Sequence, residues 1–268
     1  MDQPVLSCCW SDDGMKVFSG GCDQKAFCWD LTSNNKIQLG QHDAPIKFIH
    51  WVTDRRILMT GSWDKTLRYW DPRSPQPALI VHLPERLYAA DVRDNLAVVG
   101  TADKKITIYN LNNPNAPFKT VDSPLRFQTR CIKTFPNKTG FAVGSIEGRV
   151  GIHHVDTSDS GKNFAFKCHR NKNDIYAVND LAFHPLGTFA TCGSDGTFHF
   201  WDKDSKQRLK AFKKCALPIA CCEFSATGDI FAYASCYDWH KGSSGYNPAE
   251  KTCILLHSTG DEIKPKKK

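Results

Sequence analysis

The chain is 268 residues long, 41% hydrophobic and 24% charged, with a formal net charge of +7. That length buries a core of its own, and no run approaches the ~18 consecutive apolar residues of a membrane span, so a soluble protein without membrane insertion is expected. Met1-Asp2-Gln3-Pro4 lacks the basic and apolar regions of a secretory signal, and the twelve cysteines sit in alternating apolar runs with no Cys-x-x-Cys pair; they read as small core residues in a reducing, intracellular compartment rather than disulfides or a zinc site.

In chain order, one unit recurs. An alternating strand over Val5 to Trp10 leads through a turn to a second strand ending at Ser19-Gly20-Gly21, then to a turn at Asp23 and a third strand closing on Trp29-Asp30, with a linking strand over Ile37 to Leu39. The next unit opens on a strand over Ile46 to Val52, turns at Asp64, closes on Trp70-Asp71 and links through Ala78 to Leu83. Tyr109-Asn110 closes a third unit, His153-His154 a weaker fourth, and Trp201-Asp202 a fifth that starts on a strand over Val178 to Phe183. The closing positions 29, 70, 109, 153 and 201 lie 41, 39, 44 and 48 residues apart, near the ~40–45 residues of a WD blade. A sixth unit ends at Cys253 to Leu256 and is longer, because a loop rich in Gly, Ser and Pro, Cys236 to Glu250, is inserted in it. Four short antiparallel strands per unit predict an all-β fold, a WD-repeat β-propeller over residues 1–262. Its six readable blades span roughly 4–40, 44–84, 87–122, 128–168, 175–213 and 217–262, and a basic tail occupies 263–268.

The signature residues have a structural role. An aspartate in the turn between second and third strands (Asp23, Asp64, Asp103, Asp195) accepts turn amides. In WD repeats a His before the first strand and a Ser or Thr on the second join that Asp and the Trp indole in a buried network. His42, Thr60, Asp64 and Trp70 fill the four roles in the second blade, and His169, Thr191, Asp195 and Trp201 fill them in the fifth. A His-Asp pair also invites a catalytic reading, but these residues recur at blade period, where a satisfied polar network serves packing. No P-loop, nucleophile elbow, zincin helix or dinucleotide fingerprint occurs, so no enzyme, cofactor or metal is expected.

Several stretches go beyond the generic repeat: Gln41-His-Asp-Ala-Pro45, Gly144-Ser-Ile-Glu-Gly-Arg-Val150, Asn163-Phe-Ala-Phe-Lys-Cys-His-Arg170, Phe200-Trp-Asp-Lys-Asp204, and Phe231-Ala-Tyr-Ala-Ser-Cys-Tyr-Asp-Trp239 with Tyr246-Asn-Pro248. With them the chain resembles the nuclear-pore mRNA export factor family nearly end to end. The stretch from Asn163 and the Tyr-Asp-Trp loop are the most specific, and a sister family, the mitotic-checkpoint propeller, matches less well there. The resemblance implies a non-enzymatic adaptor that docks on a nucleoporin through its short GLEBS segment, shares that mode of binding with checkpoint kinases, and supports mRNA export and spindle function. The implied locations are the nucleus, the nuclear envelope at the pore, the cytoplasm and the mitotic spindle.

The same resemblance implies a groove of basic and apolar residues that also takes single-stranded RNA. Here it comprises Arg149, Phe166, Trp201, Asp202, Lys203, Lys206 and Arg208. Lys206 stands where the family usually has Arg, which removes a bidentate contact. The residues agree in kind: basic side chains beside an exposed aromatic suit an acidic, partly apolar peptide, or a phosphate backbone with a stacked base. Trp201 also closes a blade, and Phe166 also fits a strand core. A mitotic-checkpoint adaptor and a direct single-stranded RNA binder are the alternatives to an export adaptor. The resembling family has seven blades and six are read here; a divergent six-blade closure, a truncated form and a fragment are the three readings, of which truncation, with unpaired strand edges at blades one and six, is the one expected.

Overall fold

Alternating apolar and polar residues, interrupted every five to seven positions by Gly- and Asp-bearing turns, yield short strands joined by tight connections. A computed structural model describes residues 1–265; Lys266 to Lys268, the end of the expected basic tail, lie outside the described residues. The chain divides into two compact units, Met1–Asp122 and Ser123–Lys268.

The first unit holds three four-stranded antiparallel meanders. Blade 1 is β1 (Val5–Trp10), β2 (Lys16–Gly21), β3 (Lys25–Asp30) and β4 (Asn35–Gln41), and blade 2 is β5 (Ile46–Val52), β6 (Ile57–Ser62), β7 (Thr66–Trp70) and β8 (Pro77–His82). Blade 3 is β9 (Leu87–Arg93), β10 (Leu96–Thr101), β11 (Lys105–Asn110) and β12 (Lys119–Asp122).

The second unit begins with blade 4, made of β13 (Thr129–Thr134), β14 (Gly140–Ser145), β15 (Arg149–His154) and β16 (Phe164–Lys167). A hairpin follows, β17 (Arg170–Asn171) with β18 (Asp174–Ile175). Blade 5 is β19 (Val178–Phe183), β20 (Phe189–Gly193), β21 (Phe198–Asp202) and β22 (Gln207–Ala211), and blade 6 is β23 (Ile219–Phe224), β24 (Ile230–Ser235) and β25 (Cys253–Ser258). These are six blades of a WD-repeat β-propeller, and the strands expected at Val5–Trp10, Ile46–Val52 and Val178–Phe183 form with those bounds. Blade 6 has three strands among the described residues, and Ile254 and Leu256 on β25 are 75% and 70% exposed.

The first strand of a blade carries a register shift near its start, as at Val5/Ser7, Ile46/Phe48 and Thr129/Cys131. Such a bulge increases local twist. Beside it the second strand presents a glycine, and the next blade packs on that bare backbone: a Cβ on Gly61 would lie 2.4 Å from Leu87 Cδ1. Within the first unit, one core joins Phe18, Cys28, Ile49, Leu58 and Trp70 of blades 1 and 2, and another joins blades 2 and 3 around Met59, Tyr69, Leu87 and Val99. In the second unit, Phe135, Val150, Leu181 and Phe189 join blades 4 and 5, while Phe198, Phe200, Phe224 and Phe231 join blades 5 and 6. Among the described residues no helix is long and apolar enough to cross a membrane.

Candidate partner-binding site

Local chemistry sets the blade turns. Asp64 Oδ1 accepts from Thr66 N at 3.0 Å and Asp195 Oδ1 from Thr197 N at 3.0 Å, with weaker counterparts at Asp23 and Asp103. The residue between donor and acceptor is left-handed each time: Gln24, Lys65, Lys104 and Gly196 have φ of 67°, 66°, 64° and 76°.

In blade 2 the four signature side chains are joined in sequence. Trp70 Nε1 donates to Thr60 Oγ1 at 2.8 Å, Thr60 Oγ1 lies 2.7 Å from His42 Nε2, and His42 Nδ1 lies 2.8 Å from Asp64 Oδ2. Burial pulls the His42 pKa below its ordinary value against the opposing pull of Asp64, so the ring is neutral. A carboxylate only accepts, so Nδ1 carries the proton and Nε2 takes the threonine hydroxyl. Burial alone would raise the Asp64 carboxyl, but hydrogen bonds from His42 and Thr66 outweigh it and hold it well below the usual carboxylate range. Arg68 covers the outside, donating to Asp43 at 2.6 Å and to Asp64 at 3.1 Å.

Blade 5 has the same arrangement. Trp201 Nε1 donates to Thr191 Oγ1 at 3.0 Å; His169 places Nε2 2.8 Å from that oxygen and Nδ1 2.9 Å from Asp195 Oδ1. The His169 ring lies flush on Gly193, where a Cβ would stand 2.5 Å from Nδ1. Gly193→Ala therefore displaces the ring, and a thermal melt should register a loss of about 2 kcal/mol or more; an unchanged melt would show that the loop carrying His169 yields freely.

Trp201 differs from Trp70 in exposure: Trp70 is 3% exposed, whereas Trp201 is half-buried. Its ring centroid lies 4.6 Å from that of Phe166, and Arg208 Cζ stands 6.0 Å over it. Two concavities meet at this indole. The smaller, about 110 Å³, is lined by Phe164, Phe166, Phe189 and Trp201 together with Lys167, Asp202, Lys203 and Lys206. Lys206 Nζ lies 4.9 Å from the Phe164 ring centroid. Asp202 and Lys203 are largely committed within the fold. Asp202, 6% exposed, accepts from Asp204 N at 2.9 Å and Ser205 Oγ at 2.7 Å, and Lys203, 9% exposed, reaches Asp204 at 2.7 Å and the Phe135 ring at 5.2 Å. The larger concavity, about 380 Å³, takes in Trp201 and Arg208.

The fold thus gathers Phe166, Trp201, Asp202, Lys203 and Lys206 on one concavity, with Arg208 on the other. Arg149 lines neither; it pairs in register with Lys167 across β15 and β16, its Nε 3.5 Å from Glu147. Among the described residues no group of three or more His, Cys, Asp or Glu side chains is placed to hold a metal ion.

Residues 2–30, 34–71 and 160–202 match the WD domain, G-beta repeat family. Over 99% of its length the chain is 51% identical to Protein Rae1 of Drosophila melanogaster, covering 80% of that protein. It is likewise 52% identical to the mRNA export factor of Xenopus tropicalis and 54% identical to Protein RAE1 of Arabidopsis thaliana, covering 76% and 77% of them. The chain belongs to the mRNA export factor family. Two of the three WD matches span the two complete His-Thr-Asp-Trp networks of this family member, in blades 2 and 5.

Lys167, Arg170, His199 and Lys214, which line the larger concavity, are absent from the sequence-based groove. One signal was readable for His199. Two positions before Trp201 on the same strand, it must share that residue's face.

Proposed function

We propose that this chain is a non-enzymatic adaptor in mRNA export at the nuclear pore, holding a short GLEBS segment of a nucleoporin. The observation that carries the reading is an apolar slot with cations on its aromatics: Phe166 against Trp201, Lys206 over Phe164 and Arg208 over Trp201. Such a slot accepts an apolar side chain from a partner whose flanking residues are acidic, because half-exposed aromatics supply contact area and the cations supply orientation and encounter rate. Membership of the mRNA export factor family supports the choice of partner and of process, and with it residence in the nucleus, at the nuclear envelope and in the cytoplasm.

Capture from cell extract tests the reading. The intact chain recovers a GLEBS-bearing nucleoporin, and Lys206→Ala and Arg208→Ala, both at exposed positions, each weaken capture about tenfold. Recovery of a checkpoint kinase alone turns the assignment to the spindle, and recovery of neither overturns it. Binding of single-stranded RNA with a steep loss in salt assigns the slot to phosphate backbone and base instead.

A further inference from the structure

The larger concavity beside Trp201 enters the adaptor reading only through Trp201 and Arg208; its other lining residues have no role there. Four cations reach it from three separate stretches of chain: Lys167 at the end of β16, Arg170 on β17, and Arg208 and Lys214 on and beyond β22. Lys167, Arg208 and Lys214 are exposed, and none makes an ion pair among the described residues. Arg170 is held in place by backbone acceptors, Nη2 donating to Glu147 O at 2.6 Å and Nε to Gly148 O at 3.3 Å. Its remaining N–H groups are left for another acceptor.

One carboxylate faces these cations, and it is already engaged. Asp195 accepts from Thr197 N at 3.0 Å and Thr197 Oγ1 at 2.8 Å, and holds His169 Nδ1 at 2.9 Å. Against four cations this single carboxylate leaves the cleft lining with an excess of positive charge.

His199 lines the cleft, is 9% exposed, and its Nδ1 is buried with no hydrogen-bond partner among the described residues. A buried polar atom left unpaired costs about 1–3 kcal/mol, and native structures seldom tolerate one without a reason.

The size and convergence of the cleft narrow the ligand. A phosphodiester strand spreads single charges along its length and is met by a stripe of cations. A terminal phosphoryl group concentrates about two negative charges on three oxygens and is met by cations closing on one point. Four cations lining one concavity of about 380 Å³ fit the second description.

We propose that this cleft binds the phosphoryl group of a phosphorylated side chain in a partner protein. The proposal rests on the adaptor reading in taking the ligand to be part of a protein segment. Lys167 borders both concavities, so one segment can place an apolar residue against Phe166 and a phosphorylated residue against Arg170 and Lys214. Phosphorylation then sets the affinity of the partner.

Titration of the intact chain with inorganic phosphate and with O-phosphoserine, at constant ionic strength, tests the site. Both should saturate a single site, compete with each other, and shift the His199 imidazole nitrogen resonances. Serine should do none of this. Lys167→Gln and Lys214→Gln, at exposed positions, should each weaken O-phosphoserine about tenfold, one charge-assisted contact apiece. Equal behaviour of serine and O-phosphoserine, or indifference to both substitutions, overturns the proposal. Displacement of phosphate by a ten-residue oligouridylate that binds more tightly than O-phosphoserine, and is weakened by the same substitutions, overturns it in favour of nucleic acid. The adaptor reading fails separately: if O-phosphoserine titrates as expected while Lys206→Ala and Arg208→Ala leave nucleoporin capture unchanged, the cleft stands and the adaptor assignment falls.

Discussion

Thr60→Val loosens blade 2 by about 3 kcal/mol, read as faster amide exchange across residues 57–70, because one buried hydroxyl serves two side chains that have no substitute. Thr60 is fully buried; it accepts the Trp70 indole at 2.8 Å and meets His42 Nε2 at 2.7 Å. Valine keeps the shape and opens no cavity, so the loss is that of stranding a buried N–H and a buried ring nitrogen, about 1–3 kcal/mol each. Thr107→Val is the control. Its hydroxyl is also buried but among the described residues meets only Thr120 Oγ1, at 3.4 Å, and should cost under about 1 kcal/mol. Equal losses in the two variants would show that the network contributes no more than an ordinary hydroxyl.

The second large effect is a pH dependence hidden by opposition. In the Ser123–Lys268 unit, burial, and next the neighbouring His169, lower the His199 pKa to about 4. The folded chain refuses a proton that the unfolded one takes near pH 6.5, so this contribution is present above that pH and is lost as pH falls through the window to 4. At about 1.4 kcal/mol per unit the loss is roughly 3 kcal/mol. His184, also lowered by burial, adds to it.

Asp180 acts the other way. Burial raises its carboxyl to about 6 against the pull of Lys133 and of the Cys222 N–H that it accepts at 3.1 Å. The folded chain keeps a proton that the unfolded one has released, so this contribution is present below ~3.9 and is lost as pH rises through 6. The unit should therefore hold a nearly level stability between pH 4.5 and 6.5. His199→Gln should make it more stable on acidification, and Asp180→Asn less. Urea melts at three pH values decide the matter, since parallel curves for all three proteins would refute the opposition. Below pH 4 the unit should lose further stability as Asp195 and Asp238 take up protons, because hydrogen bonds from His169 and from Ser194 and His240 outweigh burial and hold both below the usual range.

The fold was legible where side-chain chemistry repeats. Trp29, Trp70 and Trp201 stand at the ends of third strands, and the intervals between them fall out of that register. Blade 4 was readable more faintly, since His153 replaces the aromatic and Glu147 the aspartate, yet β14 and β15 form around the same glycine at 144. The hairpin of β17 and β18 escaped notice because two-residue strands have no periodicity, and its reversal depends on Lys172 at φ 52° rather than on a glycine. The groove was legible as a set of residue types but not as a shape. Asp202 and Lys203 sit beside Trp201 in sequence, and only their burial reveals that their charges serve the turn and Asp204. The larger cleft assembles Lys167, Arg170, His199 and Lys214 across more than one strand interval, a convergence that no linear pattern encodes.

Trp201 joins two roles, of which the buried Trp70 has only the first. Its Nε1 secures Thr191, and through it His169 and Asp195, while its ring lines both concavities. Anything that grips the indole therefore binds blade 5 in its folded form alone, and mass action converts occupancy into stability: a ligand at a hundred times its Kd protects by about 2.7 kcal/mol. The coupling is reciprocal, so a lesion in the buried network, even one as remote from solvent as Thr191→Val, should surface as weakened partner affinity. Blade 5 is in this sense a reporter, and its melting temperature is a readout of what the protein is holding.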